Sequence, residues 1–589
     1  MKTCKKNLLF ATLLLIAGAT RAVASAPSAG APAALAPADL ILKNGKIYTD
    51  RENGRKWAES LSIREGVIQS IGTTGAIEKE KGPATKIIDL RGKVVLPGFN
   101  DAHLHFFSGG ISLARLNLTG VKSIGQFKAK LKEFAAANPL KRWIFGLGWD
   151  HTAFPGQKYP TKEDLDSVVN DRPVFLWHTD EHLAVANSKA LEILHIDATT
   201  PDPEDGKILK NDKGEPMGVL LESAASEASH KVDRPSKEEL RQAFVDAQEE
   251  AIKYGLTSIQ GTFARENLED CIQIVDELHK AKQLKVRISL WGVLEDPEKF
   301  AELKNKYKHI PEEWLRFAHL KGFVDGVISA RTAAMNQPYS DDASTRGEPN
   351  YTQEKLSELV LRANRMGFPV ALHAIGDRAV GMAAAAYAAA KKQLFNSRLR
   401  NRVEHVEVAG PAIYSQFHGT GIVASVQPSH MIYDDESENY NDARLGKERV
   451  KHAFAWKGFL KAKARMAFGT DWPVMPVNPF IGLFGAVYRQ HFNGRPARGW
   501  LPEQRITLDQ AIEAYTLGSA YVTSEEHVKG SIREGKFADL AVTGKDPFKE
   551  QGLALSKVPV AYTILAGKIT YDGTLPALKP ADAKTAAKP

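Results

Sequence analysis

Apolar positions at helical spacing alternate with short apolar runs through the middle of the chain. Leu240, Phe244, Ala247 and Ala251 fall on one face of a helix. Ser236 and Glu239 precede them as a capping box, and Gly255 closes the pattern ahead of the run Leu256-Thr257-Ser258-Ile259. The cycle then repeats. Leu356, Leu359, Val360, Ala363 and Met366 predict a helix, Gly367 its stop, and Val370-Ala371-Leu372-His373 a buried strand. Helix, glycine, buried strand is the grammar of a parallel α/β fold. An open doubly wound sheet has the same texture, but the lack of a G-x-G-x-x-G after a first strand weakens that alternative.

The texture changes towards both ends. Residues 39–96 hold short strand-like runs at 40–42, 46–48, 60–63, 67–68 and 94–96, with turn signals at Glu65-Gly66 and Arg91-Gly92. Runs of the same kind return at 530–532, 538–542, 560–564 and 568–570 within 530–573. Two β segments at opposite ends are expected to pair into one small module around an inserted domain, 97–529.

The first 24 residues are an address. Residues 1–6 are basic, 8–19 are an apolar run of 12, and Ala22-Val23-Ala24 fits small-x-small before a cleavage point. This predicts a signal peptide over 1–24, a mature start at Ser25, and a periplasmic or secreted protein. A membrane span needs about 20 apolar residues, more than this run offers. Residues 25–38, rich in Ala and Pro, read as a flexible leader, and 574–589 as a disordered tail.

Composition narrows the class. The 589 residues exceed one ordinary domain, and 43% hydrophobic with 25% charged residues excludes a wholly disordered or fibrous chain. The net charge is +8, of which Lys2, Lys5, Lys6 and Arg21 supply four, leaving +4 on the rest. That is no argument for nucleic acid. Two cysteines, Cys4 and Cys271, leave no room for a disulfide framework or a cysteine-rich metal site.

The chemistry begins at Pro97-Gly98-Phe99-Asn100-Asp101-Ala102-His103-Leu104-His105. Residues i and i+2 of a strand face the same way, so His103 and His105 project together from one strand end. Three more polar groups end apolar runs: His373 in Val-Ala-Leu-His, His405 in Arg-Val-Glu-His, and Asp471 in Met-Ala-Phe-Gly-Thr-Asp. In a barrel, the carboxyl ends of the strands meet at one face, which would bring all of them to one point.

In that order, His-x-His, His, His, Asp, the chain resembles the metal-dependent amidohydrolase superfamily. The strings His373-Ala-Ile-Gly-Asp377-Arg378-Ala379, Glu404-His405, Gln427-Pro428-x-His430 and Val324-Asp325-Gly326…Ser329-x-Arg331-Thr332-Ala333 resemble its third branch, the YtcJ-like group, similar to N-substituted formamide deformylase. The resemblance implies a distorted (β/α)8 barrel with a small β-sandwich built from the N- and C-terminal segments. It implies one or two divalent metals, with zinc best suited, held by His103, His105, Lys321, His373, His405 and Asp471. Lys321 looks like the superfamily's carboxylated lysine; Glu222, in Gly-Val-Leu-Leu-Glu, is a weaker candidate for the same bridge.

His373 to His405 is 32 residues, one βα unit, and His405 to Asp471 is 66, two units. His105 to His373 is 268, so a large insertion is expected around 107–235, walling the pocket and selecting substrate. His182 within it belongs to a string where relatives carry Gly in place of Glu181. His182, His430 and Arg331 are candidate substrate contacts, Arg331 for an acidic group. Histidines 151, 178, 195 and 418 are left as structural or surface residues. The implied activity is hydrolysis of a non-peptide amide C–N bond of a small molecule by a metal-activated water, with Asp471 as base. A cyclic amide, an ester or lactone, or a ring amine remains an alternative on the same site, as does a non-catalytic binding protein. The partner is a small molecule, with no nucleic acid and no stable membrane insertion; a homodimer is compatible.

Overall fold

The computed structural model describes residues 35–575, apart from 51–55, 140, 179–181, 205, 233–234, 264–267, 396–397 and 435–438. The signal peptide and most of the expected leader and tail lie outside the described residues. Eight parallel strands follow one another in chain order around a nearly closed barrel: β1 (Phe99–Leu104), β2 (Leu256–Thr262), β3 (Arg287–Val293), β4 (Leu315–Phe323), β5 (Val370–Ala374), β6 (Arg402–His405), β7 (Val423–Val426) and β8 (Arg465–Phe468). The sequence expectation of a (β/α)8 barrel holds.

No ladder joins β8 to β1. A buried carboxylate closes the gap instead. Asp101 accepts hydrogen bonds from Thr470 Oγ1 at 2.6 Å, Thr470 N at 3.0 Å and His103 N at 3.1 Å. Asp471 N then donates to His103 O at 2.7 Å. Gly469 stands at this seam, where a Cβ would lie 2.5 Å from His103 N.

The helices form as patterned. Ser236 and Glu239 cap Lys237–Ile252 reciprocally, and its Leu240, Phe244, Ala247 and Ile252 are buried against the barrel. Each large apolar side chain buried this way is worth about 1.5–3 kcal/mol. Gly255 ends the segment at φ +81°, a left-handed conformation that favours glycine.

Two more sheets flank the barrel at the chain ends. One holds the strands Leu40–Lys43, Ser60–Arg64, Val67–Gly72 and Lys86–Asp89. In the other, Val94–Pro97 pairs antiparallel with Leu540–Thr543, so both ends of the chain share a ladder, with Val95 opposite Val542. Leu42, Ile47, Leu61, Val95, Leu540 and Ile564 fill the space between the sheets. Residues 530–532, expected as a strand, are not one; Ile532 plugs this core from a loop.

Between β1 and Lys237–Ile252 the chain builds its own six-stranded mixed sheet: Leu116–Asn117, Ile144–Trp149, Val174–His178, Leu183–Ala186, Pro216–Glu222 and Gly206–Lys210 in spatial order. One face packs Phe127, Leu131, Trp149 and Leu176, the other Phe175, Ala186, Leu191 and Leu220. The helix Phe106–Leu113 leads into it, pressed onto Lys237–Ile252 at Gly110, where a Cβ would meet Ala243 O at 2.0 Å. The insertion thus leaves the barrel sideways.

Candidate metal centre at the mouth of the barrel

The carboxyl ends of β1, β4, β5 and β6 and the loops after β7 and β8 surround a cavity of about 440 Å³. His103, His105, Lys321, His373, His405, His430 and Asp471 all line it. His105 Nε2 lies 3.1 Å and His103 Nε2 3.4 Å from Asp471 Oδ1, and Asp471 Oδ2 is 3.5 Å from His430 Nε2. The His405 ring centroid is 4.9 Å from that of His103 and 4.4 Å from that of His373. Lys321 Nζ is 3.5 Å from His103 Nε2.

The remaining ring nitrogens are held from behind. His103 Nδ1 faces Glu404 Oε2 at 2.6 Å, and His105 Nδ1 faces Thr262 Oγ1 at 3.0 Å, which leaves both Nε2 atoms aimed at Asp471. Such outer partners fix the tautomer and orientation of a metal-binding histidine. Glu404 is itself gripped by Arg402, and both side chains are fully buried. His373 Nε2 lies 3.1 Å from Gly326 O and 3.7 Å from Asp325 Oδ1. Asp325 in turn accepts from Ile375 N, Gly376 N and Ala334 N, which moulds the loop after β5. His430 Nδ1 lies 3.5 Å from Glu407 Oε1.

The electrostatics suit a cation. Burial holds the imidazoles of His103 and His405 well below their ordinary value, and burial with nearby Lys321 holds His373 down to about 4. Neutral imidazoles keep a lone pair for a metal. Burial would raise the Asp471 carboxyl, but His103, His105 and His430 outweigh it and keep it ionised. Burial pulls the Lys321 ammonium down to about 8. Burial also depresses His430, yet Glu407 and Asp471 prevail and hold it above its ordinary value.

The donors pass a further test. His405 Nδ1 and Asp471 Oδ1 are buried and make no well-formed hydrogen bond. Buried polar atoms without partners are costly, and a shared cation removes that cost. His103, His105 and Asp471 form one group of converging donors; His405, Glu407 and His430 form another. His405 at φ +72° and Asp471 at φ +59° sit in the left-handed region, the kind of strain that collects at functional sites.

Three expectations need correction. His182 does not reach the cavity; its Nδ1 contacts Glu222 Oε2 at 2.8 Å on the insertion, both side chains more than half exposed. That contact also removes Glu222 as a bridge. Arg331 is tied to Asp341 at 2.9 Å, a carboxylate shared with Arg444, and does not line the cavity. Among the described residues, none of 107–235 lines the cavity. Asp101, Thr262, Asp325, Arg402, Glu404 and Glu407 carry positioning contacts that the motif reading passed over.

Fold and donor set together define the class: a metal-dependent hydrolase built on a (β/α)8 barrel. Comparison with known families carries this further. Residues 86–571 match the amidohydrolase family, and the chain belongs to it. It is 31% identical over 535 residues to the putative amidohydrolase YtcJ of Bacillus subtilis, covering 90% of this chain and 99% of that one. It is 24% identical over 554 residues to N-substituted formamide deformylase of Arthrobacter pascens, covering 91% and 99%. Among solved structures, an uncharacterized metal-dependent hydrolase from Pyrococcus furiosus matches with a TM-score of 0.71 at 29% identity, over 87% of this chain and 100% of that one.

Proposed function

We propose that the protein is an exported amidohydrolase that cleaves the C–N bond of a neutral, largely apolar small-molecule amide, with Asp471 as general base. The observation that carries this reading is the placement of Asp471, an ionised carboxylate at the floor of a cavity with an apolar mouth. Phe323, Val327 and Val474 stand there 48%, 40% and 65% exposed, with Ile432 and Met475 beside them in the lining. Large apolar side chains left in water around a polar floor mark a binding surface. Among the described residues, Lys321 is the single lysine or arginine in the lining. It lies buried below the mouth, so among the described residues no lysine or arginine at the rim pairs a substrate carboxylate. A relative named for N-substituted formamides fits this reading, and N-acyl amino acids fit it less well.

His103, His105 and Asp471 would hold one divalent ion, and Lys321, His373 and His405 a second. Zinc suits these imidazole and carboxylate donors. When bound, the metal supplies Lewis acidity, lowering the pKa of water and polarising a carbonyl oxygen. Asp471 Oδ2 takes the proton of the attacking water and returns it to the departing amine. His430, held by Glu407, offers its Nε2 hydrogen towards the same space and steadies developing negative charge on the carbonyl oxygen. With its ammonium depressed to about 8, Lys321 has an accessible neutral amine. That amine adds CO₂, releases a proton and becomes a carbamate, which is the basis for reading Lys321 as a carboxylated bridge.

The test is a substrate panel on the metal-loaded protein. N-benzyl and N-alkyl formamides and acetamides should be hydrolysed in preference to N-acyl amino acids, lactones and ring amines. Preferred turnover of an anionic or ring-amine substrate would overturn the reading. Export rests on the pattern of residues 1–24, and the mature protein should begin at Ser25.

A further inference from the structure

A second constellation lies on the insertion, where the strands Ile144–Trp149 and Val174–His178 run parallel and end together, Trp149 opposite His178. His178 Nε2 lies 3.3 Å from His151 Nδ1 and 3.5 Å from Asp150 Oδ1. The three donor atoms all fall within 4.8 Å of one another. Donors bound to one ion at about 2.0–2.2 Å, at right-angle or tetrahedral angles, lie about 3.0–3.5 Å apart. Both separations from His178 Nε2 therefore match the spacing of donors around one metal.

The donors are already held. The His151 ring stacks on Tyr159 with centroids 4.2 Å apart, and Trp149 stands edge-on to His178 at 4.8 Å. Asp150 Oδ1 accepts from Thr152 N at 2.8 Å and Thr152 Oγ1 at 2.7 Å, which fixes the carboxylate while leaving Oδ2 uninvolved in that cap. Groups fixed before binding lose little freedom on binding. None of the three lines the barrel cavity.

We propose that Asp150, His151 and His178 form a second metal site, independent of the barrel centre, that takes a divalent cation of the Zn²⁺, Co²⁺ and Ni²⁺ group. Two imidazoles and one carboxylate suit these ions and offer little to Mg²⁺ or Ca²⁺, which take oxygen donors. Its role is structural. The ion pins the turn that follows Trp149 onto the end of the neighbouring strand, in a part of the chain built around its own small cores.

The full-length protein tests this with Co²⁺, whose visible bands report its coordination. A barrel-site double variant, His105→Asn with His405→Asn, removes a donor from each of the two barrel ions and isolates the insertion. Titration should still show saturable binding of one Co²⁺ in that variant. Adding His178→Gln should weaken this binding at least ~100-fold, since even outer-partner losses cost 10–100-fold. Should the double variant fail to fold, single Asp150→Asn and His178→Gln variants of the native chain serve instead. Each should lose one metal equivalent by elemental analysis while keeping its circular dichroism and its turnover. Metal content and cobalt spectra unchanged by both substitutions would overturn the proposal and leave a metal-free His–His–Asp hydrogen-bonded cluster. Because the readout is metal bound to the insertion, failure here leaves the barrel reading untouched.

Discussion

Replacing Glu404 by Gln should damage both stability and metal content, and the two losses have separate causes. Glu404 accepts from Arg402 through both carboxylate oxygens and faces His103 Nδ1 at 2.6 Å, with both charged side chains fully buried. Arg402 also donates to Gln260 Oε1 and Ala102 O, each at 2.7 Å, and to Ser425. Glutamine keeps the shape but removes the negative charge and turns one acceptor into a donor. The amide must then point its NH₂ group at either the guanidinium or the His103 N–H. A buried cation without its anion costs about 3–5 kcal/mol, a large part of the ~5–15 kcal/mol that holds a typical domain. At about 2–4 °C per kcal/mol, the barrel transition should fall by roughly 10 °C in calorimetry. Metal affinity should fall ~10–100-fold, because His103 loses the acceptor that orients it. A double variant, Arg402→Met with Glu404→Gln, removes both charges and should recover much of the stability, since buried ion pairs are often replaceable as a unit. It should not recover the metal affinity. If Glu404→Gln melts like the parent and holds metal as tightly, the Arg402–Glu404–His103 chain does not position the site.

Three further outcomes follow from the same geometry. Asp471→Asn preserves shape and removes the proposed base, so kcat should drop by at least ~10², measured on protein whose metal content is known; near-parental kcat would move the role to His430. Lys321→Ala should lose metal and activity together, and short carboxylic acids should restore part of both; full metal content in Lys321→Ala would refute the bridge. Asp539→Asn should cost about 3–5 kcal/mol, because Asp539 holds buried Arg287 of β3 through two hydrogen bonds of 2.7 and 3.1 Å. Calorimetry that finds under ~1 kcal/mol would mean that the rings of Phe537 and Trp314, 4.0 and 5.0 Å from the guanidinium, suffice to hold it.

The barrel was legible because each βα unit repeats the same local signals: a cap, an apolar helical stripe, a glycine and a short buried run. Those signals act within a dozen residues, so they survive without knowledge of the fold. The histidines and Asp471 were legible for a related reason, each being a polar residue at the end of an apolar run. Residues 530–532 misled because Ile532 is apolar and buried, yet it fills the sandwich core from a loop. Apolar character reports burial, and burial alone does not make a strand. Asp101 and Glu404 carried a signal that went unused. Both lie in apolar strands two residues from another polar group on the same face, His103 for one and Arg402 for the other. A carboxylate in such a place must have a partner, and the partner two residues away was already in view.

The insertion could not be placed from its sequence. Nothing local in 107–235 states which side of the barrel it covers; that is decided by one close approach, Gly110 against Ala243, which lays Phe106–Leu113 along Lys237–Ile252. The chain then passes Trp143 and Phe145 along the outside of that helix, beside Ala243 and Asp246. The first βα loop builds a separate sheet. Among the described residues, the apolar lining comes from other loops: Val327 and Ile328 after β4, Ile432 after β7, Val474 and Met475 after β8. These loops bring apolar side chains to the rim, while Arg331, the one arginine predicted to meet substrate, is turned to Asp341. Among the described residues, the lining near the mouth is therefore apolar and carries no arginine. The polar pairs that the insertion does offer, His182 with Glu222 and His151 with His178, belong to its own architecture.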